Sequence, residues 1–362
     1  MAHDKIVTLK EIAEAAGVSV MTVSRALRKQ SNVSEETQTR IQHIATQLGY
    51  RPNPLVSALM SYRRSARPAS SHSTLAYITN FPAREEWKKS PLFHDFFKGA
   101  KDGADRHGYQ LEEFWLREPG MNAARLSQVL YFRNITGAII APLPVSHGHL
   151  RLEWDKIATV TLGYSLAQPQ LHRAANHQFR SMRLALRHLR KLGYRRIGLV
   201  MPASFNNRVD HAWSGSFLTE HYRTAKEERV PLCLPEDDQW SPAIFSQWFD
   251  KYRPDAVISQ QAEILTWLKD RNHRVPEEVG FVHLNCPDKT GALAGIYQNG
   301  PLIGRVAVDF LIGMVQRNEV GIPPLAHSLL VEGTWVDGAT VRKMRGTPLI
   351  TEGENYCDPR SL

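Results

Sequence analysis

Cysteine is scarce. The 362-residue chain holds three, Cys233, Cys286 and Cys357, too isolated for a disulfide framework or a metal knuckle. Long apolar runs are missing as well: stretches 137–143 and 197–201 fall far short of the ~18–20 residues that cross a bilayer. No Gly-x-Ser-x-Gly elbow, His-Glu-x-x-His, Cys-x-x-Cys, Gly-x-Gly-x-x-Gly or phosphate-cradling Gly-Lys-Ser/Thr loop occurs, so enzyme readings lose their usual support. His147, His149, His172 and His177 have no carboxylate or cysteine at a ligand spacing, and neither a metal nor a cofactor is expected. The N-terminus runs into an amphipathic pattern without an apolar signal core, and a cytoplasmic protein is expected.

What is present is ordinary globular composition, 42% apolar and 22% charged, on a chain long enough for two or three domains of ~100–200 residues. The formal charge of +9 is unevenly spread. Residues 1–67 hold ten Lys and Arg against five Asp and Glu, so more than half of the excess sits in less than a fifth of the chain. A basic head on a nearly neutral body suits a polyanion-binding module attached to something else. The five basic residues at 187–196 sit at a helix C-terminus, where cations offset the dipole, and are read as surface.

In the head, Thr8-Leu-Lys-Glu11 is a capping-box pattern, and Leu9, Ile12, Ala13 and Ala16 follow as one buried stripe up to Gly17, which suits a left-handed helix end. Ser19 caps a second helix whose inner face is Val23, Ala26 and Leu27, leaving Val20, Met21, Thr22 and Arg25 outward. Ser34 caps a third, with Glu35 and Glu36 at its positive end and a stripe of Ile41, Ile44, Ala45 and Leu48. Two short helices joined by Ala16-Gly-Val-Ser19 make a helix-turn-helix, whose second helix can enter a DNA major groove.

The run TLKEIAEAAGVSVMTVSRAL from Thr8, with VSEET from Val33 and LGYRPN from Leu48, resembles the lactose repressor/galactose repressor family of bacterial transcription regulators. The resemblance implies that Val20, Met21 and Arg25 read base edges. Arg25 could bond both guanine O6 and N7, whereas Val20 and Met21 could select only by shape or a thymine methyl. It also implies phosphate contacts at Thr8, Ser19, Thr22, Ser24 and Ser34, which fix register without reading sequence. Asn53-Pro-Leu-Val-Ser-Ala-Leu-Met60 begins with a helix cap and a Pro at the first helical position. It is similar to the family's hinge helix, which pairs with its dimer mate in the minor groove, and Leu59 matches the residue wedged between base pairs. Val56 and Ser57 stand where the family usually has Ala-Arg, so a minor-groove arginine is missing.

From residue 73, strands expected at 74–79, 110–115 and 137–141 alternate with helices at 92–107 and 122–132. The alternation resumes after Asn176 with a helix to 192, strands at 196–201, 255–258 and 279–284, and helices at 209–225, 262–272 and 299–317. This pattern predicts an α/β body of two successive parallel sheets, that is, two Rossmann-like lobes with ligands at the carboxyl ends of the strands. Phrases such as Ile135-Thr-Gly-Ala-Ile-Ile-Ala-Pro142 resemble the family here too, implying a periplasmic-binding-protein-like clamp around a small carbohydrate. Where the family usually has acids, this chain has Asn176, Gln261 and Asn285, which makes a more neutral pocket. The family's usual arginine position is Val209, with Arg208 adjacent and Trp213 keeping the aromatic. Trp115, Trp213 or Tyr164 could stack on a sugar face or fill core.

The expected organisation is 1–52 reading DNA, 53–72 hinge and linker, 73–340 effector and dimerisation body, and 341–362 tail. The expected activity is an effector-controlled regulator, a repressor by preference, acting as a homodimer on a pseudo-palindromic double-stranded operator. The alternative is a ligand-binding protein of the same fold that does not read DNA.

Overall fold

The computed structural model of the chain describes residues 7–27, 33–50 and 73–344; the hinge positions Asn53, Val56, Ser57 and Leu59 lie outside the described residues. Three helices make the head: α1 (Leu9–Ala16), α2 (Val20–Leu27) and α3 (Glu35–Gln47). The capping box is complete. The Thr8 N–H donates to the Glu11 carboxylate at 2.8 Å, and Thr8 Oγ1 accepts from the Glu11 N–H at 3.4 Å. Gly17 ends α1 at φ 64°, in the left-handed region. Ser19 and Ser34 accept from the N–H groups of Thr22 and Thr37 at 3.1 and 3.4 Å. Ile12, Ala13, Ala16, Val23, Ala26, Ile41 and Ala45 form the core, with Leu9, Leu27 and Ile44 packed around it. Leu48 departs from the predicted stripe and is 41% exposed, because α3 stops at Gln47 and Leu48 falls one step past its last helical residue.

The body has two lobes, each a sheet covered on both faces, parallel throughout in the first and parallel but for one edge strand in the second. The first sheet joins β1 (Ser73–Thr79), β2 (Tyr109–Trp115), β3 (Gly137–Ile140), β5 (Ala158–Leu162), β7 (His172–Asn176) and β12 (Ser328–Val331) in the order β12-β7-β5-β3-β1-β2. The second joins β8 (Ile197–Leu199), β9 (Ala256–Ser259), β10 (Gly280–His283), β11 (Gly295–Tyr297) and an antiparallel edge strand β13 (Thr334–Val336) in the order β13-β11-β10-β9-β8. A small ribbon of β4 (Gly148–His149) and β6 (Leu166–Gln168) flanks the first lobe. Helices α4 (Pro91–Arg106) and α5 (Ala123–Phe132) cover the first sheet, capped by Ser90 and Asn122. Helices α6 (Gln178–Leu192), α7 (Ala203–Arg208), α8 (Ala212–Arg223), α9 (Pro242–Tyr252) and α10 (Ile264–Asp270) belong to the second lobe, and α11 (Gly300–Arg317) comes after them.

Several expectations change. The two sheets are not successive: α11 packs on α4 in the first lobe, β12 adds to the first sheet, and only β13 returns to the second. The chain therefore crosses between lobes three times, near 177, 298–299 and 332–333. The helix predicted at 209–225 starts only at Ala212, as α8, because Asp210 and His211 take left-handed φ values of 53° and 56°, and a short helix before them, α7, was not predicted. The predicted tail begins too early. The Arg342 N–H donates to the Tyr194 hydroxyl at 3.0 Å and the Met344 N–H to the Leu192 carbonyl at 2.8 Å, so 341–344 dock on the second lobe.

Helices α4 and α11 meet through glycine. A Cβ on Gly99 would strike the Pro301 carbonyl, and one on Gly304 would strike the Phe96 carbonyl, both backbone atoms that cannot swing aside. Gly304→Ala should gain ~0.5–1 kcal/mol of helix propensity and lose about 1–3 kcal/mol to overpacking, a net loss. Urea unfolding checks it: the midpoint should fall, and an unchanged midpoint would mean that the helices can move apart without cost.

Candidate functional site

Two places on the chain concentrate chemistry. The first is the outer face of α2, where positions 20, 21, 24 and 25 share one side of a 3.6-residue helix. Val20 is 44% and Met21 62% exposed, and Arg25 is exposed beside them. Two large apolar side chains in water beside a guanidinium make a surface that folding alone does not require. Thr22 and Ser24 are half-buried. The Ser19 and Thr22 hydroxyls bond each other at 2.9 Å, and the Ser34 hydroxyl donates to Thr37 Oγ1 at 2.8 Å. Thr8, Ser19 and Ser34 are thus helix caps first, and any phosphate contact they make is shared with that duty.

The second is a cavity of about 640 Å³ between the lobes, within the size range of small-molecule sites. Its wall is built from residues just past the strand ends: Phe81 after β1, Pro142 and Pro144 after β3, Tyr164 after β5, Gln260 after β9 and Asn285 after β10. That is the carboxyl end of both sheets, as the α/β pattern predicts. Of the residues expected there, Asn176, Arg208, Trp213, Asn285 and Tyr164 line the cavity. Gln261 and Trp115 do not. The register places Gln260 in the wall instead of its neighbour, and the Trp115 indole is turned to donate to the Phe81 carbonyl at 2.8 Å.

Asn176 serves the frame rather than a ligand. It is 1% exposed, its Nδ2 donates to the carbonyls of Gln298 and Val331 at 3.3 and 3.1 Å, and its Oδ1 accepts from Ser181 Oγ at 2.6 Å. A carboxylate could not make the first two bonds. Trp213 is likewise committed: its indole donates to Gln178 Oε1 at 2.9 Å, Gln178 Nε2 to Gln298 Oε1 at 3.0 Å, and Gln298 Nε2 to the Leu284 carbonyl at 3.0 Å. Sequence reasoning missed Gln178 and Gln298. Their positions, two after β7 and one after β11, were the available signal.

Other polar groups lie in or behind the cavity wall. His283 accepts the Asn285 N–H at Nδ1 (3.1 Å) and also bonds the Gln260 backbone, and burial lowers its pKa, so a neutral imidazole steadies both amide-bearing loops. Gln260 Oε1 is buried without a hydrogen-bond partner among the described residues. Arg208 reaches from α7 across to the first lobe, donating to the carbonyls of Leu143 (2.5 Å) and Pro144 (3.5 Å) with its guanidinium 5.4 Å from the centre of the Phe93 ring. Burial pushes its pKa down to about 10. Among the described residues no group of three or more His, Cys, Asp and Glu could hold a metal ion, and no helix is long and apolar enough to cross a membrane.

Asn176→Asp should cost about 2–4 kcal/mol at pH 7, because a buried carboxylate would face two carbonyls left without donors. Burial raises the pKa of that carboxyl above its unfolded value, so its neutral form is the one the fold tolerates, and the loss should shrink as pH falls through the raised value. Urea midpoints at pH 7 and pH 5 check this; a loss independent of pH would contradict it.

Comparison with known proteins finds matches to both the head and the body. The model for bacterial regulatory proteins, lacI family, matches residues 8–53, and that for the periplasmic binding protein-like domain matches 186–341. The HTH-type transcriptional regulator PtxS of Pseudomonas plecoglossicida is 30% identical over 328 residues, 87% of this chain and 91% of that protein. Among solved structures, the transcriptional regulator CelR-cellobiose complex aligns with TM-score 0.53 at 19% identity, covering 92% of this chain and 99% of that one. The Lac repressor dimer bound to operator and the anti-inducer ONPF aligns with TM-score 0.52 at 20% identity, covering 93% and 100%. By sequence and by fold, the chain belongs to the lacI family of bacterial regulatory proteins.

Proposed function

We propose that the chain is a cytoplasmic transcriptional repressor that binds a pseudo-palindromic DNA operator as a homodimer, and that a carbohydrate in the interlobe cavity sets its operator affinity. The observation that carries the DNA half is the exposed α2 face with Val20, Met21 and Arg25. Arg25 reads a guanine, Val20 and Met21 select by shape, and Thr8, Ser19, Thr22, Ser24 and Ser34 set the register against phosphates. The segment at 53–72 acts as hinge and linker, with Asn53 capping a helix, Val56 and Ser57 in the minor groove and Leu59 as the wedge. The CelR-cellobiose and Lac repressor-operator complexes support this division of labour by their shared fold. No catalytic step is assigned to the cavity. Its ligand acts by favouring one relative placement of the lobes, and the coupling between ligand and DNA is reciprocal.

Selection from a random duplex pool by the purified chain, with and without candidate sugars, tests this directly. An inverted repeat should be enriched; failure to enrich one under every condition would leave a ligand-binding protein that does not read DNA. Arg25→Ala should cost about 1–3 kcal/mol on the selected site and relax the preference at one position of each half-site. Leu59→Ala should weaken specific binding far more than non-specific binding, and equal losses on both would remove the wedge.

A further inference from the structure

The cavity's polar inventory is unequal in charge. Asn176, Gln178, Gln298 and Trp213 spend their side-chain hydrogen bonds on one another, on backbone and on Ser181. Arg208 is different. Its five N–H donors meet two main-chain carbonyls and an aromatic face, and among the described residues no carboxylate pairs with it. Some exposed arginines of the body pair with carboxylates, as Arg133 with Glu112 at 2.7 Å and Arg271 with Asp250 at 2.6 Å, while Arg196, Arg229 and Arg342, like Arg208, donate to main-chain carbonyls; of these four only Arg208 lines the cavity. This half-buried guanidinium faces the cavity with no ion-pair partner among the described residues.

The one carboxylate among the lining residues, Asp237, is oriented by the Ser204 N–H at 3.3 Å and makes no ion pair with Arg208. The lining therefore holds one cation and one anion that do not pair with each other. Burying a cation costs free energy that carbonyl dipoles offset only in part, and an anion bound in fork geometry would supply the rest. Around it, Gln260 Oε1 is a buried acceptor lacking a donor, and neither the Asn285 side-chain amide nor the second Asp237 oxygen is engaged by the described residues. These are groups for hydroxyls.

We propose that the effector is a polyhydroxylated acid, a sugar carrying a carboxylate or phosphate, whose anionic group pairs with Arg208 while its hydroxyls meet Gln260, Asn285 and Asp237. This rests on the reading of the cavity as the effector site and narrows its ligand class. Because Arg208 lies in the second lobe and its carbonyl partners in the first, the anion lands where the lobes are already joined. Ligand charge and lobe placement are thus coupled through one side chain.

The test is calorimetric titration of the full chain with matched probes: glucose against gluconate, glucuronate and glucose 6-phosphate, and ribose against ribose 5-phosphate, with inorganic phosphate as the bare anion. At least one acid should bind about tenfold or more tightly than its neutral counterpart. Arg208→Gln should abolish that preference, and Arg208→Lys, which keeps charge without the fork, should keep part of it. The carboxylate and phosphate arms separate the two kinds of acid. If a neutral sugar binds as tightly as every matched acid and shifts operator affinity, the anionic class is wrong while the effector cavity stands. If the acid preference survives Arg208→Gln, the anion is held elsewhere, as on the basic head, and the proposal fails. If no probe binds, the carbohydrate reading falls and this proposal with it. Should Arg208→Gln not fold, the acid-to-neutral comparison on the unaltered chain and Arg208→Lys still decide.

Discussion

The body depends on a neutral knot where its lobes join. One asparagine, Asn176, ties the second crossing at Gln298 to the end of β12 at Val331, next to the third. Asn299 repeats the device, its Nδ2 donating to the Glu332 carbonyl and to Thr334 Oγ1 at 2.8 Å each. From there the Gln298–Gln178–Trp213 relay carries order to the cavity wall. Amides suit this position because they donate and accept at once and bring no charge that burial would penalise. At Asn176, then, the amide that replaces a family acid belongs to the framework and not to a neutral ligand pocket.

Much of the fold was legible because it is written in local signals. The head followed from Thr8, Gly17, Ser19 and Ser34, whose caps and turn need no distant partner. Strands β1, β2, β3, β9 and β10 followed from short apolar runs between helical patterns. What escaped was long-range. Nothing near 299–317 says which lobe its helix will cover, since both sheets offer an apolar face; glycines at 99 and 304 settle the matter by letting two backbones touch. The break at Asp210 and His211 was hidden because both residues tolerate helix in other surroundings. It also explains the cavity arginine: with α7 ending at Arg208, position 208 rather than 209 reaches Leu143 and Pro144.

The candidate site was legible in outline only. The family resemblance reached Asn176, Arg208, Trp213 and Asn285, but it put Gln261 in the place of Gln260. Aromatic type alone put Trp115 there as well, although its indole was needed at the Phe81 carbonyl. Periodicity tells which residues leave a strand, and hydrogen bonding decides which of them remain free.

The three crossings have a consequence for how the chain is made. Residues 178–297 complete nearly all of the second lobe, whereas the first, begun at residue 73, lacks helix α11 and edge strand β12 until residue 331. The second lobe is in effect an insertion within a discontinuous first one. During synthesis from the N-terminus, the later-encoded lobe can close while the earlier one still waits, with one face of its sheet covered by α4 but not yet by α11. The first lobe must bring together segments more than 150 residues apart, a high-contact-order step that comes after the second lobe has closed.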